Sequence, residues 1–243
     1  MLGLIEPHFQ NIVPSGGGGL YAIEALCRFR NLDTLSLGLI RQWERSGYVA
    51  KIDLAMLKRV SQCLPNQKGP LDLRLAVNVS VRTIEVAGDE YLSALLLLAP
   101  LVRRLIVEVT ETYQPSDWRV VTDFAKRIND AGMYVALDDC APEHMFWDDD
   151  FVKVVSPQFL KLDGEILNEC FQSRTYEPIQ SIVDLGRRVN AQIVAERVDS
   201  HRKRDFVSAL GVGFMQGWLF NKPTPLTSYS PTPAHLDGVA AIC

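Results

Sequence analysis

"RLIVEVTETYQPSDWRVVTDFAKRINDAGMYVALDD", residues 104–139, reads as strand, helix, strand. "RLIVEVT" (104–110) and "MYVALDD" (133–139) are short and rich in apolar and β-branched residues, as strands are. Between them, "PSDWRVVTDFAKRINDAG" (115–132) repeats apolar residues every three or four positions, with Ser116 placed to cap a helix and Gly132 to end it. Two strands joined by a helix lie parallel in one sheet. The unit recurs outward from here: further strands are expected at "LYAIEAL" (20–26), "LRLAVNVS" (73–80), "QFLKLD" (158–163), "AQIVAE" (191–196) and "GVGFMQG" (211–217). A second clear helix is "YEPIQSIVDLGRRVN", whose basic pair lies near its C-terminal, negative end. With "LGLIEPHFQ" near the start, the strands suffice for an α/β protein built as an eight-stranded barrel. The pattern alone also admits a doubly wound open sheet.

Composition narrows the function classes. The chain has 243 residues, 47% hydrophobic and 22% charged, as in ordinary water-soluble proteins. A net charge of −4 argues against a DNA or RNA groove, which requires a basic face. The longest apolar run, "LSALLLLAPLV", is too short for a membrane span and holds a proline. "MLGLIEPHFQ" has no basic start or cleavage site of a signal peptide. Cys27, Cys63, Cys140, Cys170 and Cys243 show no CxxC spacing, so reduced thiols in a cytoplasmic protein are expected. His8, His144, His201 and His235 are too dispersed for a histidine-rich zinc site. "VPSGGGGLYA" (13–22) precedes a strand and lacks the Lys-Ser/Thr of a P-loop, so it reads as a turn.

The strands share one feature. At or near their C-terminal ends stand Glu24, Asn78, Glu108, Asp138 with Asp139, Lys161 followed by Asp163, Glu196, and Gln216. In a barrel those ends converge on the face where active sites lie. The carboxylates converging there repel one another without a cation. An all-oxygen set without histidine or cysteine suits a hard ion such as Mg²⁺ or Mn²⁺.

These stretches resemble one family, the EAL-domain cyclic di-GMP phosphodiesterases. Its motifs stand in order as "EALCRF" (24–29), "NVS" (78–80), "EVTE" (108–111), "DD" (138–139), "KLD" (161–163), "AERVD" (195–199) and "QGWLFNKP" (216–223). "FQNIV" (9–13) is similar to the family's opening "QPIV", with Asn11 in place of proline. The resemblance covers about residues 3 to 223 and implies a TIM-like (β/α)₈ barrel with one antiparallel strand. It makes 1–223 a single EAL domain and 224–243, rich in proline, serine and threonine, a loose tail.

Residue by residue, the resemblance implies that Glu24, Asn78, Glu108 and Asp138 hold one divalent ion. Asp138 would bridge to a second, with Asp139 its other direct protein ligand. Glu196 completes the site directly or through water. Lys161 matches the lysine beside the attacking water, and Gln216 the glutamine that fixes that water or a ligand. Arg28 falls at the position that contacts a substrate phosphate, and Asp163 in "KLD" at a substrate-binding position. The activity implied is hydrolysis of cyclic di-GMP to linear pGpG with two Mg²⁺ or Mn²⁺ ions. The alternative is an EAL domain without turnover, acting as a cyclic di-GMP receptor or protein-interaction regulator.

Two stretches depart from the family. "DDFGTG" or "DDFGAG" is usual, and its loop reaches the second glutamate of the "ExTE" motif, here Glu111, the loop-supporting residue. This chain reads "DDCAPEHMFWDDD" instead, with both glycines gone and Pro142 entered. Alanine and proline cannot reproduce glycine's backbone angles without strain, so the loop needs a new conformation. Glu143 and His144 are candidates for new polar contacts at the mouth. Phe146 and Trp147 either stack on a guanine or partner, or tuck against neighbouring helices. In "AERVD", Arg197 stands where glycine is usual, and Asp199 replaces a glutamate. EAL domains commonly pair through helices near the altered loop, so the resemblance implies a homodimer. This sequence holds no sensor or GGDEF segment, so regulation is expected to come from expression or from a regulatory protein partner.

Overall fold

The computed structural model describes residues 2–30, 36–64, 70–142 and 144–226. Eight strands close into a barrel in chain order: β1 (Ile5–Pro14), β2 (Ala22–Phe29), β3 (Leu71–Ser80), β4 (Val102–Thr110), β5 (Tyr134–Cys140), β6 (Phe159–Leu162), β7 (Gln192–Ala195) and β8 (Phe214–Gln216). The helices are α1 (Leu37–Ser46), α2 (Val49–Cys63), α3 (Val81–Leu98), α4 (Arg119–Asp130), α5 (Asp149–Val155), α6 (Gly164–Ser173), α7 (Glu177–Val189) and α8 (His201–Ala209).

β1 runs antiparallel to β2 and also to β8, while β2 through β8 pair in parallel. The open sheet is thereby excluded, since the β1–β8 pairing leaves no edge. The antiparallel strand has a local cause. Its link to β2 is the glycine-rich turn, with Gly17, Gly18 and Gly19 all at positive φ. A turn that short returns the chain beside itself, whereas a parallel neighbour needs a crossover.

Two expectations shift. α4 begins at Arg119, with Asp117 Oδ1 accepting from the Arg119 amide at 2.9 Å. Ser116 does not cap it: its hydroxyl donates to Glu85 Oε1 at 2.9 Å. β2 extends to Phe29, but its pairing with β3 covers only Ile23 to Ala25, so Glu24 stands where the barrel wall ends and the β1–β2 arm continues. Past Pro223, Thr224 still pairs with Phe9 of β1. Most of the expected tail, 227–243, lies outside the described residues. Among the described residues no helix is long and apolar enough to cross a membrane, and Cys27, Cys63, Cys140 and Cys170 are free thiols.

The barrel interior holds its own apolar layer. Ile12, Ala22, Ala76, Ile106, Ala136, Phe159 and Val194 pack together there, apart from the larger core that includes the helices. Side chains alternate along a strand, so the residue two positions onward faces inward one layer higher. Ala22 is therefore followed by Glu24, Ala76 by Asn78, Ile106 by Glu108, Ala136 by Asp138, Phe159 by Lys161 and Val194 by Glu196. A polar ring is thus laid directly on an apolar plug.

Candidate functional site

Lys161 stands at the centre of the ring, 1% exposed. Its Nζ lies 2.7 Å from Glu108 Oε2, Asp138 Oδ1 and Glu196 Oε1, and 3.6 Å from Glu24 Oε2. Burial alone would lower its pKa, but the four carboxylates outweigh that and hold it well above the usual lysine value. Burial pushes Glu108 well up, with Glu24 adding repulsion. Asp138 and Glu196 are likewise raised by burial, each to about 7, despite the neighbouring ammonium. Glu24 is the exception. Burial would raise it, but Lys161, Asn78 and Gln216 together hold it below its ordinary value.

Those amides show how the ring is bound together. Asn78 Nδ2 donates to Glu24 Oε1 at 2.7 Å, and Gln216 Nε2 donates to Glu24 Oε2 at 2.6 Å. Gln216 also donates to Gln10 Oε1 at 3.1 Å. Sequence reading missed Gln10. Because β1 runs backwards, its ring residue comes two positions before the plug residue Ile12, and only the strand's direction reveals that. Glu44 of α1 was also missed. It is buried and accepts from the Ser80 hydroxyl at 2.9 Å and the Thr112 hydroxyl at 2.6 Å. It thereby ties the segment after Asn78 to the segment after Glu111.

Asp138 and Asp139 would point to opposite faces of a regular strand. Here the β5–β6 register shifts between Leu137 and Cys140, and Asp139 takes φ 42°. Carboxylate oxygens of Asp138, Asp139 and Glu111 then fall within 4.8 Å of one another. Burial and mutual repulsion raise Asp139 and Glu111 to about 7. Three acids so close, with Glu24, Glu108, Glu196 and the Asn78 amide beside them, form an all-oxygen donor set that fits hard divalent cations.

The altered loop is anchored by aromatics. Phe146 is fully buried, against Trp118 at 5.9 Å and Phe151 at 6.0 Å between ring centroids. Trp147 is half-buried against the main core. The tucked reading therefore holds for both rings. His144 Nδ1 accepts from the Phe146 amide at 3.2 Å, and its buried Nε2 has no hydrogen-bond partner among the described residues. Glu143 lies outside the described residues. Asp163 sits at the start of α6, where its carboxylate accepts from the amides of Glu165 and Ile166. Over the ring opens a cavity of about 360 Å³, whose lining includes Glu24, Arg28, Asp138, Lys161, Glu196, Arg197 and Trp218. Arg28 therefore reaches the mouth, while Asp163 serves as a helix cap beside it.

Fold and site together define a barrel with one reversed strand and a mouth built from acids around a lysine. The chain belongs to the EAL domain family, whose model matches residues 2–223. The bifunctional diguanylate cyclase/cyclic di-GMP phosphodiesterase MucR of Pseudomonas aeruginosa is 28% identical over 229 residues, covering 90% of this chain and 33% of that protein. Cyclic di-GMP phosphodiesterase PdeF of Escherichia coli is 27% identical over 184 residues, 74% of this chain and 24% of the relative. The chain thus spans a third or less of these two relatives. Among solved structures, the PaMucR phosphodiesterase in its c-di-GMP complex matches with a TM-score of 0.78 at 26% identity, over 92% of this chain and 93% of that one. The FimX EAL domain of Pseudomonas aeruginosa bound to c-di-GMP gives 0.74 at 17% identity, over 91% of each chain, and shows the fold alone.

Proposed function

We propose that this protein hydrolyses cyclic di-GMP to linear pGpG using two divalent cations, Mg²⁺ or Mn²⁺. One observation carries the reading: Glu24, Asp138, Glu196, Lys161 and Gln216 line one cavity, with Asn78 bonded to Glu24 and Glu108 to Lys161 at its base. Glu24, Asn78, Glu108 and Asp138 would hold one ion, Asp138 and Asp139 the other, with Glu196 completing the set. Bound there, the ions supply positive charge to the phosphodiester and make water more acidic. Lys161 keeps its proton and offsets charge as water adds to phosphorus and the P–O3′ bond breaks, releasing the ribose oxygen with a proton. Gln216 orients the floor through Glu24. Arg28 binds a phosphate oxygen at the rim. Most of the acceleration then comes from positioning and fixed charge.

Residues 1–223 form the proposed working unit. The loop after Asp139 favours a second reading, a receptor that binds cyclic di-GMP without turning it over. Its Phe146 anchor replaces the family's glycine-rich path. The purified chain, incubated with cyclic di-GMP and Mg²⁺ or Mn²⁺ beside Glu24→Ala, separates the two. Metal-dependent pGpG lost in the variant supports the enzyme, tight binding without pGpG the receptor, and neither result overturns both.

A further inference from the structure

The end of the barrel opposite the mouth carries a charged layer of its own. Arg74 precedes the plug residue Ala76 by two positions, as Arg104 precedes Ile106 and Tyr134 precedes Ala136. By strand alternation these three face inward below the plug. Arg74 and Arg104 are in register on β3 and β4. Neighbouring strands lie about 4.8 Å apart, so the two arginines start side by side from one face.

Each guanidinium lies on a tyrosine ring. The central carbon of Arg74 is 4.4 Å from the Tyr21 centroid, and that of Arg104 is 4.8 Å from the Tyr134 centroid. Both rings rest on the plug residue Phe159, at 5.8 Å and 6.2 Å between centroids, and Tyr21 also meets Phe214 at 4.3 Å. Arg74 Nη1 donates to the Tyr21 carbonyl at 3.4 Å, and Arg104 Nη1 donates to the Gly132 carbonyl. Among the described residues, one such bond each leaves most donors of both guanidiniums unused. Burial raises the Tyr21 phenol above its ordinary value, Arg74 opposes this most, and Tyr134, Arg104 and Arg103 also act on it. Its hydroxyl therefore shares this end with both arginines and the second phenol.

The charge there is unanswered. Like charges side by side on neighbouring strands repel. Arg103, next to Arg104, pairs with Asp72 at 3.1 Å, while among the described residues neither Arg74 nor Arg104 joins an ion pair. The chain carries a net charge of −4, so this cationic pair stands against the overall balance. The tyrosine stacks hold both guanidiniums in place.

We propose that Arg74 and Arg104, with the Tyr21 and Tyr134 hydroxyls, form a phosphate-binding site at the base of the barrel. A phosphate dianion matches the charge of two guanidiniums, and its tetrahedral oxygens accept from both forks and from a phenol. A carboxylate fills one fork and leaves the second cation uncompensated. The inference stands on these residues and is independent of the reading of the mouth.

The test measures inorganic phosphate affinity by calorimetry, in chelator and at constant ionic strength, with melts to confirm folding. Arg74→Gln and Arg104→Gln should each weaken binding about tenfold, the scale of one lost charge-assisted hydrogen bond. Arg74→Lys and Arg104→Lys keep the charge without the fork, so they should fold as the wild type does and lose less affinity. Tyr134→Phe should weaken binding by a smaller factor. Arg28→Ala, which alters the mouth, should leave it unchanged. Glycerol phosphate, and phosphatidic acid in phosphatidylcholine vesicles, tell a soluble monoester from a lipid head group, and dependence on the two arginines in either arm supports the site. Acetate bound as tightly as phosphate would overturn the assignment. So would a wild type that takes up no phosphate, or one whose affinity the arginine changes leave unmoved.

Discussion

Lys161 Nζ stands 2.7 Å from Asp138 Oδ1, inside a ring where a lone ammonium answers four carboxylates. Removing one partner of a buried pair leaves uncompensated charge, typically costing about 3 kcal/mol or more. Lys161→Met should therefore destabilise the metal-free protein by about 3 kcal/mol at pH 8. At pH 6 the loss should be smaller, because the carboxyls then take up protons. Denaturant unfolding in chelator at both pH values checks this. An equal loss at both would contradict it.

The wild type carries its own pH signature. Glu111, Asp138, Asp139 and Glu196 are each raised to about 7 by burial in the folded protein. In the unfolded chain such groups titrate near ~4. Between those values the folded protein binds more protons, so this stabilisation is complete below pH ~4 and is lost as pH rises through ~7. Metal-free protein should thus be at least about 1 kcal/mol more stable at pH 6 than at pH 8. Saturating Mn²⁺ should flatten or reverse that slope, since an ion takes the place of the protons. Thermal melts with and without Mn²⁺ would read both effects.

Phe146 holds the unusual loop from within. Phe146→Ala empties a closed aromatic site and should cost about 3 kcal/mol, with faster proteolysis between residues 141 and 148. Trp147→Ala, by contrast, should leave cyclic di-GMP affinity within about twofold, since half a kcal/mol lies below the worth of a base stack. A large drop in affinity would put Trp147 on the ligand after all.

Gly217 bears on two features at once. Gly217→Ala forces a Cβ against the Val198 carbonyl and should destabilise the fold by about 2 kcal/mol. It should also displace Gln216 from Glu24, weakening divalent-ion binding. A melt unchanged from wild type would mean the turn can relax without cost.

By itself, the sequence determined the barrel's alternation of strand and helix, because β-branched runs and three-four periodicity report local structure. It also placed the ring residues on consecutive strand ends, because each follows its inward apolar neighbour by two positions. Only the tertiary structure decided how those residues meet. Gln10 joins the ring through the reversed β1, and Asp139 joins Asp138 through a register break no local pattern announces. Arg197 reaches the rim through a backbone angle that its residue type disfavours. Phe146 turns inward because Trp118 and Phe151, distant or separate in the chain, close around it. The sequence codes what each strand offers; closure of the barrel fixes which offers coincide in space, since that depends on strand direction, register and packing between remote segments.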